Sequence, residues 1–460
     1  MKKSIFIVVS VLLFTLLLPT SGKAQMYVDD GRTICCGDSI LNGNYLALGI
    51  NPAHLGRVLS VKKGTGFLQV GGTFYSHGLD LGQVLNLSLT DNLLDSTAKN
   101  EIINRYPPED NFEYDGKMEI SWLSYSYAHP KFGGFAVQLQ DRFTSTATIP
   151  NNFLGLALLG TASDAYQNAS SPEELLDTPN GTEFYYGHFR SLKIGYGFPL
   201  LRVEGFGLYG GVAYSRLFGI GYLNGSVANQ TFTGRSSFSE LYQLDYRNIN
   251  IQDPNYQRQL ISNAGGGNAF ELGLSMDIAD RVNISASIVD IGSLTFNKNV
   301  NTHSASTASI IDSLGSGLID SYNAGEASVN LFNLLDTQAS DEINVVLNTH
   351  ARIGGTVKLG KNLTGNIEGI IPMRSSNLSV IDIDQGTVYG AVTWNPIPKV
   401  IYVTGGAYYN PQHGWRMPFG ASVGLGPRAR LSISTVDLAT LLGADDPMAS
   451  LSITFMGNNW

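Results

Sequence analysis

Cysteine is nearly missing from this chain: two residues in 460, Cys35 and Cys36, and they are adjacent. That rules out a disulfide scaffold and a cysteine-based zinc site. Neighbouring cysteines bridge only with strain, so the pair reads as two small residues near the mature N-terminus. Charge is also scarce, at 15% of residues where soluble domains carry roughly 25%. The net charge of −9 supplies no basic footprint, so nucleic acid is not an expected partner. Beyond the first two dozen residues no apolar run approaches the roughly 20 residues that a membrane-spanning helix needs.

The signatures of catalysis are missing as well. There is no Gly-x-Ser-x-Gly elbow and no His-Glu-x-x-His. The stretch Gly265-Gly266-Gly267 lacks the lysine of a phosphate cradle. His77, His129, His188, His303, His350 and His413 are scattered over separate connections. The acidic pairs Glu109-Asp110 and Asp382/Asp384 lack calcium-loop spacing and read as solvated faces. No enzyme activity, cofactor or metal is expected.

What is present begins with an address. Lys2 and Lys3 precede an apolar stretch from Ile5 to Leu18, Pro19 ends it, and Gly22-Lys23-Ala24 offers small residues for cleavage. Residues 1–24 therefore read as a secretory signal peptide, with Gln25 first in the mature chain. Its loss removes Lys2, Lys3 and Lys23 and takes the charge from −9 to −12.

Glycine (52), tyrosine (22) and phenylalanine (21) are abundant. The decisive pattern is apolar residues at every second position. Leu192, Ile194 and Tyr196 alternate with Lys193, Gly195 and Gly197, and Phe270, Leu272 and Leu274 with Glu271, Gly273 and Ser275. Such alternation marks strands with one apolar and one polar face. Strands are expected near 66–75, 118–128, 133–142, 187–198, 205–219, 268–278, 281–290, 349–359, 362–371, 386–394, 399–408, 416–425, 428–436 and 450–456, which is 14 segments. The connections alternate short and long, as in outer-membrane barrels with tight turns on one side and long loops on the other. A phase slip between Trp122 and Leu123 points to a bulge. Short helices are expected in the loops at 171–176, 325–335 and 436–442. The four tryptophans, Trp122, Trp394, Trp415 and Trp460, fall near segment ends, where an interfacial girdle would place them. A soluble β-sandwich is the competing architecture, but it leaves the glycine content and the loop alternation unexplained.

The expected fold is therefore all-β: a single transmembrane antiparallel β-barrel of about 14 strands at 65–460, with an N-terminal plug segment at 25–64 and short helices in the extracellular loops. Within the plug, Asn51 suits a helix cap, Pro52 its first position and Gly56 its end, giving one apolar turn that carries Leu55. Its expected destination is the lumen. At 399–408, Ile401, Val403 and Ala407 lie opposite Val400, Tyr402 and Tyr408; this strand is apolar on both faces and a candidate inner apolar surface.

The triplet Asn51-Pro52-Ala53 followed by Leu55, just ahead of a barrel of this strand count, resembles the hatch of the FadL/OmpP1-type outer-membrane barrels. That resemblance implies a passive channel for small hydrophobic, fatty-acid-like compounds. It implies a hatch closing the lumen, with Asn51, Pro52, Ala53 and Leu55 as its ligand or hatch residues. Movement of the hatch and a side opening in the wall would release the ligand. The other reading is a barrel of the same build that transports nothing and serves secretion or surface assembly. Expected partners are outer-membrane lipid, a hydrophobic small molecule, the barrel-assembly machinery during biogenesis and other envelope proteins.

Overall fold

The computed structural model describes residues 42–77, 96–104, 111–244, 250, 252–314, 335–373, 386–398, 400–411, 414–424, 429–441 and 448–459. The segment read as a signal peptide, Cys35-Cys36, Glu109-Asp110, His413, Asp382/Asp384, Trp460 and, but for Leu335, the helix expected at 325–335 lie outside the described residues. In chain order the strands are β1 (Lys62–His77), β2 (Asn111–His129), β3 (Gly133–Pro150), β4 (Glu183–Val203), β5 (Phe206–Ala228), β6 (Thr231–Phe238) and β7 (Gly265–Ile278). Then come β8 (Val282–Phe296), β9 (Val300–Ser306), β10 (Asp336–Ala339), β11 (Ile343–Val346), β12 (His350–Gly360) and β13 (Leu363–Pro372). The series ends with β14 (Thr387–Ile397), β15 (Ile401–Asn410), β16 (Gly414–Arg416), β17 (Phe419–Gly424), β18 (Ala429–Thr435) and β19 (Met448–Asn459).

The pairing closes on itself. Antiparallel ladders link β1–β2–β3–β4–β5–β7–β8 and continue β8–β12–β13–β14–β15–β17–β18–β19, and β19 returns to β1. Among the described residues the ring contains fourteen strands, one for each alternating segment of the sequence. Closure satisfies every wall strand on both edges, the condition for a β-structure in lipid. Among the described residues no helix is long and apolar enough to cross a membrane.

The two faces of the wall have opposite chemistry. Leu272 and Leu274 on β7, Ile353 on β12 and Ile367 on β13 are exposed on the outside, at 49%, 55%, 52% and 62% of their surface. Their sequence neighbours Glu271, Ser275 and Arg352 point inward and are buried. An apolar band turned outward and polar groups turned inward is the pattern of a barrel in a bilayer.

One end carries tight turns. Ala279 and Asp280, both at positive φ (50° and 52°), lie in the three-residue connection from β7 to β8, a left-handed backbone geometry that suits the twist of a hairpin. At the other end β4 (21 residues) and β5 (23 residues) far outrun the 9–11 residues or so that a tilted spanning strand needs. That excess corrects the expectation that only long loops join the strands expected near 205–219 and 268–278 and those near 281–290 and 349–359: β6 pairs with the end of β5, β9 with β6, β10 with β9, and β11 with the end of β8. The hairpin extension escapes notice because its apolar residues are too few to set a pattern: Thr231–Phe238 carries only Phe232 and Phe238 as large apolar side chains, and Val300–Ser306 only Val300. A helix at Asn151–Leu159 was also not anticipated, whereas Ser171 caps Pro172–Asp177 as its sequence indicates, accepting from the Glu174 amide. The bulge falls where the phase slip put it, between Ser121 and Leu123 in the β2–β3 ladder. Trp122 corrects the tryptophan reading. It lies well inside β2, because β2 begins at Asn111, seven residues before its alternation becomes regular.

Candidate functional site

Residues 42–58 fold inside the cylinder, at the end with the tight turns. Asn44 caps the turn Tyr45–Ala47, its side chain accepting from the Leu46 amide at 3.2 Å. Asn51 caps the turn Pro52–Gly56, its Oδ1 accepting from the Ala53 amide at 3.0 Å. Pro52 occupies the first helical position, where the missing amide hydrogen costs nothing. Pro52, Ala53, His54, Leu55 and Gly56 are all buried. Tyr45, Leu46, Leu48, Ile50 and Leu55 pack with Ala136 of β3 and Ala213 of β5 into one apolar cluster.

The wall beneath this plug is built of the smallest side chains. Gly134 on β3 pairs with Gly197 on β4, Gly197 with Gly211 on β5, and Gly211 with Gly273 on β7. Four glycines thus stand side by side across four strands. A β-carbon on Gly197 would lie 2.5 Å from the Pro52 carbonyl oxygen. One on Gly211 would overlap the Pro52–Ala53 peptide, one on Gly273 would overlap Asn51 Oδ1, and one on Gly134 would overlap the Leu55 carbonyl. The next inward row is Ala136–Gly195–Ala213–Glu271, again small until its last member. Backbone rests on backbone because no side chain holds them apart.

Polar contacts fix the plug on this seat. Asn51 Nδ2 donates to the carbonyls of Leu274 (3.0 Å) and Ala286 (3.2 Å), which face each other across the β7–β8 ladder. Ser287 Oγ donates to the Ile50 carbonyl at 2.5 Å. Gly49 N–H donates to Glu271 Oε2 at 2.9 Å, and the other oxygen of that carboxylate holds Lys193 Nζ at 3.1 Å. Arg57 bonds Asp277 at 2.7 Å, Arg202 donates to the Val58 carbonyl at 3.0 Å, and Gln69 donates to the Tyr45 hydroxyl at 2.6 Å.

Beside the seat, toward β12 and β13, the plug stands off. Beyond Ser287 the glycine row continues into Arg352 on β12, which grips Glu368 through two bonds of 2.8 Å. A polar gap remains there between Ile50, Asn51 and His54 on one side and Asn283, Arg352 and Glu368 on the other.

Above the plug two tiers follow. The first is charged: Lys193–Glu271, and Arg142 held between Asp290 (2.9 Å) and Glu119 (3.0 Å). The second is apolar: Tyr185 and Phe189 of β4, Leu217 and Tyr222 of β5, and Leu294 and Phe296 of β8 form the largest apolar cluster among the described residues, joined by Ile343 and Val345 of β11. A smaller cluster joins Tyr389, Ala391, Tyr408 and Val436. Of the apolar strand at 399–408, therefore, Tyr408 turns into an inner cluster, while Val400 is exposed.

Asn51, Pro52, Ala53 and Leu55 thus converge on one wall. The sequence reading missed their counterparts, Gly134, Gly197, Gly211 and Gly273. The available signal was glycine recurring on the polar face of successive strands. Only the register shows that these glycines form one row.

Residues 65–429, the wall from β1 into the start of β18, match the model of a family described as "Family of unknown function (DUF5723)". No curated protein matches the sequence. Among solved structures, a TodX deltaS2S3 mutant monoaromatic hydrocarbon channel shares 10% identity at a TM-score of 0.44, covering 95% of this chain and 98% of that one. The Pseudomonas putida toluene transporter TodX shares 8% identity at a TM-score of 0.42, covering 96% of each chain. A Pseudomonas aeruginosa FadL homologue shares 11% identity at 0.40, covering 96% of this chain and 98% of that one. The barrel itself rests on the closed pairing of this chain.

Proposed function

The chain belongs to the family of unknown function (DUF5723), and for this member we propose a role as a plugged channel for small hydrophobic, fatty-acid-like compounds in the bacterial outer membrane. Export through the leader read at residues 1–24 would bring it there.

One observation carries the reading: the apolar tier on the inner wall at the long-loop end, with Phe189, Leu217 and Phe296 turned into the lumen. Large barrels that pass polar solutes are lined by polar side chains. The side chains of this tier cover one another, with Phe189 7%, Leu217 2% and Phe296 1% exposed, so an apolar molecule would part them and replace apolar contact with apolar contact, without wetting them. Such a molecule enters from the long-loop end and meets the charged tier of Lys193, Glu271, Arg142 and Asp290. Passage beyond needs the turn Asn51–Gly56 to shift, so Asn51, Pro52, Ala53 and Leu55 act as the hatch. The glycine seat supports this role: it presents a smooth surface on which a backbone turn can rest or slide.

A second reading, a sealed accessory barrel for secretion or surface assembly, is favoured by those same buried ion pairs. Proteoliposomes separate the two. Uptake of a small alkylated aromatic or a fluorescent fatty acid should exceed that of empty vesicles. The double variant Phe189→Asn/Phe296→Asn should reduce it several-fold without unfolding the barrel. Wild-type uptake no faster than empty vesicles would leave the accessory reading standing.

A further inference from the structure

The outer face of the barrel changes character one step beyond its apolar band. On β4 the side chain two positions before Leu192 is Arg190; on β5 the one two positions after Tyr214 is Arg216. Period-2 alternation puts each on the same outward face as its apolar neighbour. Arg190 is neutralised: Asp141 on β3 accepts two bonds from it, at 2.8 and 3.0 Å, and a third from Trp122 Nε1 at 2.8 Å. Arg190 also reaches outward to the Leu260 carbonyl at 3.3 Å. Leu260 ends the short helix Pro254–Leu260, so the stretch that follows lies against the outside of the wall just past the apolar band. Tyr242 secures the same connection to the wall through His188 Nδ1 at 2.9 Å.

The tip of that stretch is apolar and uncovered. Ile261 is 73% exposed and Leu260 41%. Two cations flank it. Arg216 donates to the Gly267 carbonyl and to Asn268 Oδ1, at 3.2 and 3.1 Å. Lys298 donates to the carbonyl and side-chain oxygens of Asn263, both at 3.2 Å. Unlike Arg190 with Asp141 and Arg258 with Glu240, neither forms an ion pair among the described residues. Both are exposed.

We propose that the stretch Leu260–Asn263, with Arg216 and Lys298, is a docking surface for an anionic lipid of the surrounding membrane. The lipid phosphate sits with the two cations, and Leu260 and Ile261 dip into the boundary between headgroups and acyl chains. The surface is continuous with the lipid-facing band, which makes lipid the occupant at hand. The charge is complementary: uncompensated cations beside an exposed apolar tip are the pattern of an interfacial anchor. Fixed phosphate then tethers the connection between β6 and β7 to the rim of the barrel.

The inference rests on the barrel lying in a membrane, and the test separates the two. With the four native tryptophans replaced by phenylalanine, a tryptophan placed at Ile261→Trp is read in vesicles of brominated phospholipids, with Leu272→Trp on the apolar band as the reference. Quenching of the first by bromines near the headgroup, and of the second by bromines deep in the chains, is the expected result. In mixed phosphatidylglycerol and phosphatidylcholine vesicles, Arg216→Gln/Lys298→Gln should reduce co-purifying phosphatidylglycerol several-fold. An unquenched Ile261→Trp beside a quenched Leu272→Trp, or equal phosphatidylglycerol retention by the charge variant, would overturn this inference alone. Silence at both tryptophans would overturn the membrane reading with it.

Discussion

Asn51 occupies the space that a side chain on Gly273 would need. An ideal β-carbon there would lie well inside 3.0 Å of Asn51 Oδ1. The same amide group points its nitrogen at the β7–β8 ladder. One residue thus caps a turn and docks it, and one glycine makes room for both.

Gly273→Ala is expected to lift the plug from its seat. Overpacking of a filled interior costs about 1–3 kcal/mol, and here the obstacle is a fixed amide rather than a flexible chain end. Chemical denaturation in detergent should show the loss, and single-channel recordings should show higher basal conductance. Gly205→Ala, at a tight turn with nothing nearby to strike, reports the separate cost of a substitution at positive φ.

Asn51→Ala should lose about 0.5–2 kcal/mol for the cap alone, and more from the two wall carbonyls left without their donor. Asn51→Asp keeps the acceptor for the Ala53 amide but sets a carboxylate against two carbonyl oxygens. It should therefore loosen the plug more than alanine does. Amide exchange at Ala53 and Leu55, compared across the three proteins, reads the order directly.

Lys193 and Glu271 are almost wholly buried, at 2% and 0% side-chain exposure. Removing one partner leaves a buried charge uncompensated and costs about 3–5 kcal/mol. Lys193→Met should therefore be strongly destabilising, and Lys193→Met/Glu271→Met should recover most of the loss. The double variant also removes the acceptor for Gly49, so full recovery would show that this bond contributes little. A double-mutant cycle by urea unfolding measures both terms.

The outward band gives a positional prediction. Leu272→Arg places a cation on the lipid face at a cost of about 2–4 kcal/mol near the midplane, while Ser275→Thr, three residues along and facing inward, should be tolerated. Folding into vesicles, followed by heat-dependent gel mobility, distinguishes the two. Equal folding of both would contradict the assignment of faces.

Sequence alone determined the wall. A strand facing lipid on one side and a lumen on the other must alternate, so Leu192, Ile194 and Tyr196 against Lys193, Gly195 and Gly197 declare a strand and its two faces locally. Counting such segments sufficed for the strand number, and the capping chemistry of Asn51-Pro52 sufficed for a turn. The strands β6, β9, β10 and β11 were not legible, because outside lipid no face has to be apolar and their pairing depends on the protruding ends of β5 and β8. Nor was the seat legible. Gly134, Gly197, Gly211 and Gly273 are separated by up to 139 positions and become neighbours only through the registers of three ladders. Alternation fixes which way a residue points, a property of one strand; which residues share a height is set by turns, bulges and closure of the ring, and those belong to the folded barrel as a whole.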